Sequence, residues 1–408
     1  MTPPTTAEDL LFFVHRIPFP PDKGDKISSY NYLRYFSSRY RVHLATFIDD
    51  PADEKYRTDV AKMCASHWIG KLTTSRKALS AIRALATGKA ISVASYEDVA
   101  LREWVSKTVQ QHHVKKALIY SSGVAHYAIR PEIKSVVVDF ADVDSEKWRQ
   151  YARTKPWPLS WLYGREAAKL LAYDRKIAVA AKSAVLRTKP EAELFVALAP
   201  EVAPYVKVVN NGVDADYFSP AHALDSPYAA DAQVVVYTGV MDYWPNVDAV
   251  TWFAQEVLPL LKRSHPSIQF YIVGSRPSPE VKKLAEADRA VTVTGRVADV
   301  RPFVAHAKVA VVPNRIGRGV ANKSLEALAL AKPLVTNEIA AFGLESVIQG
   351  KEYVTAHDAV TYAREVAALI DDPVRAAAMG AAGRERMLSD FNWDRNIGKI
   401  EGWLQAPS

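Results

Sequence analysis

The chain reads as an α/β protein of two domains, each built on a parallel sheet. Three observations predict this. Short β-branched runs recur along the whole length, each closed by a polar or glycine-containing loop, and amphipathic or Ala/Leu-rich stretches fall between many of them. The segment from Lys308 to Thr336 condenses the pattern into one unit: the run Lys308 to Val312, a loop holding Gly317 and Gly319, an Ala/Leu-rich helix from about Val320 that Pro333 stops, and the run Leu334 to Thr336. Finally, the loose Ala/Pro/Ser/Asp stretch Pro220–Asp231 separates two such series, and 408 residues suit two domains. The boundary is placed at 1–222 and 223–390.

In the first series, Leu10 to Val14 is the opening strand. It runs into a Pro-rich loop that reaches Gly24 just before a helix, which Asp25 or Ser28 can cap and whose apolar face includes Ile27, Tyr30, Leu33 and Phe36. Val42 to Ile48, Leu118 to Tyr120 and Val136 to Val138 are further strands, and Val206 to Val209 is the last. Strands joined by helical crossovers pair in parallel, and ligands of such sheets gather at the carboxyl ends of the strands. The loops expected to converge there carry His15, Lys23 and Gly24, then Ser121, Ser122 and His126, then Asp139, Asp142 and Asp144. The three aspartates lack the glycine and distal glutamate of a calcium loop. A base or a hydroxyl acceptor suits them, as does capping of the next helix, above all for Asp144. Asp142 and His126 are the catalytic candidates.

Aromatics and cations alternate through Lys147 to Tyr151 and Lys155 to Tyr163. Packing of a helix–turn–helix ranks first for this stretch, an anionic membrane interface second and base stacking last. Arg76 to Ala90 has the same ambiguity, with Leu79, Ile82 and Leu85 among its basic residues.

In the second series Val234 to Thr238, Phe270 to Val273 and Val291 to Thr294 all run into glycine, at Gly239, Gly274 and Gly295, so backbone can approach a ligand along one edge. The helix after the Gly317–Gly319 loop offers free N–H groups to an anion, with Asn322 and Lys323 at its start. Glu326, one turn on, can accept hydrogen bonds from a diol, although Lys323 and Glu326 three apart also fit a solvated surface pair.

Composition narrows the function classes. With 52 Lys+Arg against 45 Asp+Glu, the formal charge of +7 suits anionic ligands or an anionic membrane surface but is too small and dispersed to imply nucleic acid. Cys64 is the only cysteine, so no intramolecular disulfide forms. Glu8 and Asp9 stand where a signal peptide would be positive, and no apolar run approaches transmembrane length. A cytoplasmic protein, peripheral to a membrane at most, is expected.

Asn211-Gly212-Val213-Asp214 before the boundary, Thr238-Gly239, Gly274, Gly295-Arg296-Val297, and Glu326-Ala327-Leu328-Ala329 with Lys332-Pro333, in this order and spacing, resemble the glycosyltransferases of family 4 across essentially the whole chain. More narrowly, His15 to Lys26, Val138 to Trp148 and Gly239 to Asn246 resemble the bacterial subfamily tied to exopolysaccharide and exosortase (PEP-CTERM) gene clusters. The resemblance implies the GT-B architecture, two facing Rossmann-like domains with a cleft between them, the last helix at about 391–408 packing back on the first. It implies a retaining transfer from a nucleotide-diphosphate sugar, held by the second domain, to a glycan or lipid-linked acceptor on the first. Glu326 matches the glutamate that holds the ribose, and Gly24 the glycine loop facing the donor phosphates. Departures are visible too. Arg318 stands where the family has its first glutamate, and Asp242, Trp244 and Asn246 occupy the loop that usually carries an Arg/Lys pair. Arg318, Lys323 and Arg296 then supply the diphosphate's counter-charge. Gly239, Arg296, Arg318, Asn322, Lys323, Glu326 and Gly24 form the expected donor site, with no metal ligand and no cofactor beyond the sugar nucleotide. The missing glutamate keeps a second reading open, a non-catalytic sugar-nucleotide-binding partner of a polysaccharide assembly complex. A GT-B sugar-nucleotide epimerase is the other alternative.

Overall fold

The computed structural model describes residues 7–316 and 320–406. The chain divides into two compact units, Met1–Val209 with Asp394–Ser408, and Asn210–Trp393.

The first unit holds seven strands: β1 (Asp9–Val14), β2 (Arg41–Ile48), β3 (Ser66–Lys71), β4 (Lys116–Tyr120), β5 (Ser135–Ala141), β6 (Ala184–Leu186) and β7 (Val206–Val208), in the order β3-β2-β1-β4-β5-β6-β7. Every pairing is parallel. The central strand reads Asp-Leu-Leu-Phe-Phe-Val and is fully buried after its first residue, as a strand covered by helices on both faces must be. The strand order reverses between β1 and β4, so the loops after them open at a topological switch point.

The second unit repeats the scheme with β8 (Gln233–Thr238), β9 (Ile268–Val273), β10 (Val291–Gly295), β11 (Val309–Val312), β12 (Leu334–Thr336) and β13 (Val354–Thr355), all parallel, in the order β10-β9-β8-β11-β12-β13. Its switch point lies between β8 and β11. Gly239 and Gly274 follow neighbouring strands so closely that a Cβ on Gly274 would lie 1.6 Å from the Gly239 carbonyl oxygen. Only glycine fits that crossing.

The chain leaves the first unit at Val209, ahead of the Pro220–Asp231 stretch. Val213 explains this: its N–H donates to the Phe391 carbonyl at 2.8 Å and its side chain is buried in the second unit's core. Tyr228, within the loose stretch, is tied there too, its hydroxyl donating to the Phe303 carbonyl at 2.7 Å. The helix Gly24–Ser37 has no side-chain cap. The Asp25 carboxylate instead takes Arg16 at 2.7 Å, and the Ser28 hydroxyl donates to the Gly24 carbonyl. The helix before Pro333 runs over Asn322–Ala329 and ends ahead of Ala331, which sits at φ 54°. Trp393–Gln405 forms the last helix. Ile397, Ile400 and Leu404 are fully buried, and Glu401 accepts from the Tyr35 hydroxyl at 2.7 Å.

The aromatic–basic stretch forms two helices, Asp144–Thr154 and Leu159–Ala181. Trp148 packs on Tyr163 with ring centroids 5.4 Å apart, whereas Trp157 and Trp161 are exposed (80% and 58%). The helix Thr74–Thr87 leaves Leu79 and Ile82 outside the core. Among the described residues, no helix is long and apolar enough to cross a membrane.

Candidate functional site

At the second unit's switch point four side chains from distant parts of the sequence meet. Tyr237 closes the buried part of β8, Asn246 lies in the first turn of the helix Trp244–Trp252, Asn314 follows β11, and Lys323 opens the helix Asn322–Ala329. The Lys323 ammonium donates to the Asn246 side-chain oxygen at 2.9 Å and to the Tyr237 hydroxyl at 2.5 Å. It also lies 3.9 Å from the centre of the Tyr237 ring, within cation–π range. The Asn246 amide donates to the Val240 carbonyl, which fixes its oxygen toward the lysine. Asn314 stands 3.0 Å from the Tyr237 hydroxyl. Gly239 sits directly beside this cluster: an added Cβ would come to 2.8 Å from the Asn246 amide nitrogen and 3.0 Å from the Lys323 ammonium.

No carboxylate pairs with Lys323 among the described residues, so the solvated surface pair with Glu326 is not what forms. Burial pulls the Lys323 ammonium down to about 7, and Glu326 offsets only part of that. Burial likewise pushes the Glu326 carboxyl up to about 7, partly opposed by Lys323. The site therefore holds a half-buried lysine whose charge burial disfavours, on neutral hydrogen-bond acceptors, beside a helix N-terminus whose N–H groups add positive potential. Such a site is suited to an anion.

The other expected donor residues fall around this centre or outside the described set. Asn322 accepts from the Asn211 amide at 3.4 Å, which ties the helix start to the Asn-Gly turn. Arg296 follows Gly295 at the end of the edge strand β10 and is exposed, with no ion pair among the described residues. Arg318 lies outside the described residues. Arg315, just before it, is committed to Asp248 at 2.6 Å.

In the first unit Gly24 begins its helix at an exposed position. The two catalytic candidates are not joined by a hydrogen bond or ion pair. Asp142 sits in the turn after β5, where Ala141 takes φ 61° and Glu191 accepts the Val143 N–H at 2.7 Å. Burial raises the Asp142 carboxyl to about 7, helped by Glu191 and Asp144. His126 instead lines a separate cavity with Tyr173 and Arg102, and burial lowers it to about 4. Asp144 is the exposed first residue of its helix and does not cap it through its side chain.

Sequence reasoning missed one buried network here. Arg187, just after β6, pairs with Asp139 in β5, and Tyr32 donates to the same carboxylate at 2.6 Å. Both charged residues are almost wholly buried. Asp9, His43 and His112 bring ligand atoms within 4.8 Å of one another at the amino end of the first sheet. His43 is already engaged by Asp9 (2.8 Å) and Ser66 (2.7 Å), and the Arg41 guanidinium lies 3.5 Å from Asp9, so a cation is disfavoured there.

Comparison with known proteins places the second unit beside a known family. Residues 232–372 match the family described as glycosyl transferases group 1. The match contains Tyr237, Gly239, Asn246, Asn314, Lys323 and Glu326. Glycogen synthase of Mycobacterium tuberculosis is 30% identical over 197 residues, 46% of this chain and 45% of the relative. The chain thus spans a little under half the length of the first curated relatives it matches. Two solved structures share the fold over nearly the full length. A glycosyltransferase from Rickettsia africae has a TM-score of 0.69 and 12% identity, covering 99% of this chain and 100% of that one. HepE of Anabaena, solved in complex with UDP, has a TM-score of 0.64 and 15% identity, covering 97% and 99%. The two-sheet α/β architecture of this chain is therefore the GT-B fold.

Proposed function

We propose that the chain is a retaining glycosyltransferase that moves a sugar from a nucleotide-diphosphate sugar to a glycan or lipid-linked acceptor in the making of a cell-surface polysaccharide. One observation carries this reading: Lys323 held on the neutral acceptors Asn246 and Tyr237 beside a helix N-terminus, within the residues that match glycosyl transferases group 1. Lys323 and the first N–H groups of Asn322–Ala329 receive the diphosphate, and Gly239 lets it approach the backbone. Glu326 accepts hydrogen bonds from the ribose diol, and Arg296 adds charge at the sheet edge. No metal is assigned to this step, because charge for the diphosphate comes from protein groups. The UDP complex of HepE supports a uridine donor as the first to try. In the first unit, Asp142 takes the proton of the acceptor hydroxyl, a role its raised carboxyl suits near neutral pH.

Membrane contact at the acceptor side belongs to the same proposal. Exposed Trp157 and Trp161 beside Lys155, with Leu79 and Ile82 on Thr74–Thr87, fit an anionic interface.

The test is nucleotide release from a panel of nucleotide sugars, with and without acceptor lipid or glycan extracts. Release that depends on one sugar nucleotide and is stimulated by acceptor is expected. Tight binding of a sugar nucleotide with neither hydrolysis nor transfer would replace the enzyme with a binding partner.

A further inference from the structure

We propose that Glu191, buried in the first turn of the helix Lys189–Leu198, is a positioning residue for Asp142. It anchors the turn that presents the aspartate, and its charge sets the pH range over which that carboxyl works. The inference rests on the reading of Asp142 as the base of the transfer.

Thr188-Lys189-Pro190-Glu191 has the form of a capping box, a threonine followed three residues later by a glutamate. The threonine half forms as that pattern requires: the Thr188 hydroxyl oxygen accepts the Glu191 N–H at 3.2 Å. The glutamate reaches beyond its own helix. Its Oε2 accepts the Val143 N–H at 2.7 Å, one residue after Asp142. On the other side of the aspartate, the Ala141 carbonyl accepts the Arg187 N–H at 3.0 Å. Residues 187–191 thus grip the Asp142 turn from both flanks. The grip is needed, because Ala141 takes φ 61°, a left-handed conformation that alanine holds only where its surroundings impose it.

Charge gives the second argument. Besides burial, the charged side chains that bear on Asp142 are Asp139 on β5, Arg187 after β6, Asp144 opening the next helix, and Glu191. Arg187 and Asp139 act in opposite directions and are closed on each other, so their fields at Asp142 largely offset. Asp144 is exposed, and water weakens its influence. Glu191 is wholly buried, and both a bound N–H and a place in the first turn of a helix favour a charged carboxylate. A like charge in a dry setting keeps a proton on its neighbour. After burial, Glu191 does most to raise the Asp142 carboxyl to about 7. Position and charge can be separated, because Glu191→Gln keeps an oxygen for the Val143 N–H and removes only the charge.

The test titrates Asp142 in the full chain carrying carbon-13 at its aspartate carboxyls, the signal being assigned by its loss in Asp142→Asn. The pH dependence of UDP release from UDP-glucose is measured on the same proteins. Glu191→Gln should lower the Asp142 midpoint by about one pH unit and move the rising limb of the rate the same way. Asp144→Asn should move both less. Glu191→Asp keeps the charge but draws it back by one methylene. It should shift the midpoint in the same direction, and it carries the test if Glu191→Gln does not fold. A midpoint unmoved by the change at Glu191, or moved further by Asp144→Asn, overturns the role of Glu191. A midpoint that falls while the rate profile stays in place supports the coupling and overturns the reading of Asp142 as the base.

Discussion

The two units each hold charge near the carboxyl ends of their parallel strands and treat it in opposite ways. In the first, Arg187 after β6 meets Asp139 of β5, and Tyr32 completes the pair. In the second, Lys323 rests on Asn246 and Tyr237 with no acid attached. A buried ion pair closed on itself has little left to offer a ligand. A half-buried lysine on neutral acceptors has its charge disfavoured by desolvation, and an arriving anion restores it. The difference separates a structural use of charge from the binding use proposed for Lys323.

The largest effect should come from breaking the closed pair. Asp139→Ala strands Arg187 as an unpaired buried charge and is expected to cost about 3–5 kcal/mol in chemical denaturation. A loss below about 1 kcal/mol would mean that the pair is not what holds β5 to β6.

Next comes Asp142, in the turn after β5 and without an ion pair among the described residues. Its carboxyl, raised to about 7 first by burial and then by Glu191 and Asp144, is mostly protonated below that pH. As a base it works only when deprotonated, so the transfer rate should rise with pH and level off above about 7. Asp142→Asn should lower the rate about a hundredfold or more and flatten that limb. A profile unchanged in the variant would remove Asp142 from the chemistry.

Much of this was legible in the sequence, and what was not has a physical reason. The strands of β-branched residues, the glycines that end them and the Lys323/Glu326 helix all announce themselves locally. Ser66–Lys71 does not, because it is a half-exposed edge strand of mixed composition. Ala184–Leu186 and Val354–Thr355 are too short for any periodicity to appear. The Lys323 centre itself joins positions 237, 246, 314 and 323, which only the parallel topology brings together. Asn246, met in the sequence merely as a departure from an expected basic pair, turns out to hold the lysine. Arg187 gave no signal at all, since one arginine after a three-residue strand has nothing around it to mark burial.

A smaller effect sharpens the open side of the comparison. The Glu326 carboxyl is raised by burial to about 7, so the folded state keeps a proton that the unfolded chain releases near 4.5. Stability from this group is therefore lost as pH rises from about 4.5 to 7 and stays lost above it. Lys323, lowered to about 7, has the opposite sense: its cost is full below 7 and fades as pH climbs toward 10.5. Unliganded protein should pass through a local minimum of stability near pH 7. Glu326→Gln should raise its stability there by about 1 kcal/mol, while weakening donor binding by roughly 1.5–3 kcal/mol. A melting temperature that falls in the variant at pH 7 would show Glu326 to be structural.

The most direct measurement is calorimetric binding of UDP, in the presence of EDTA, to the full chain and to Lys323→Gln. Metal-independent binding that weakens by about 1.5–3 kcal/mol in the variant, with the melting temperature unchanged or raised, is the predicted result. Equal affinity in both proteins, or binding that appears only when magnesium or manganese is added, would contradict the assignment of the diphosphate to Lys323.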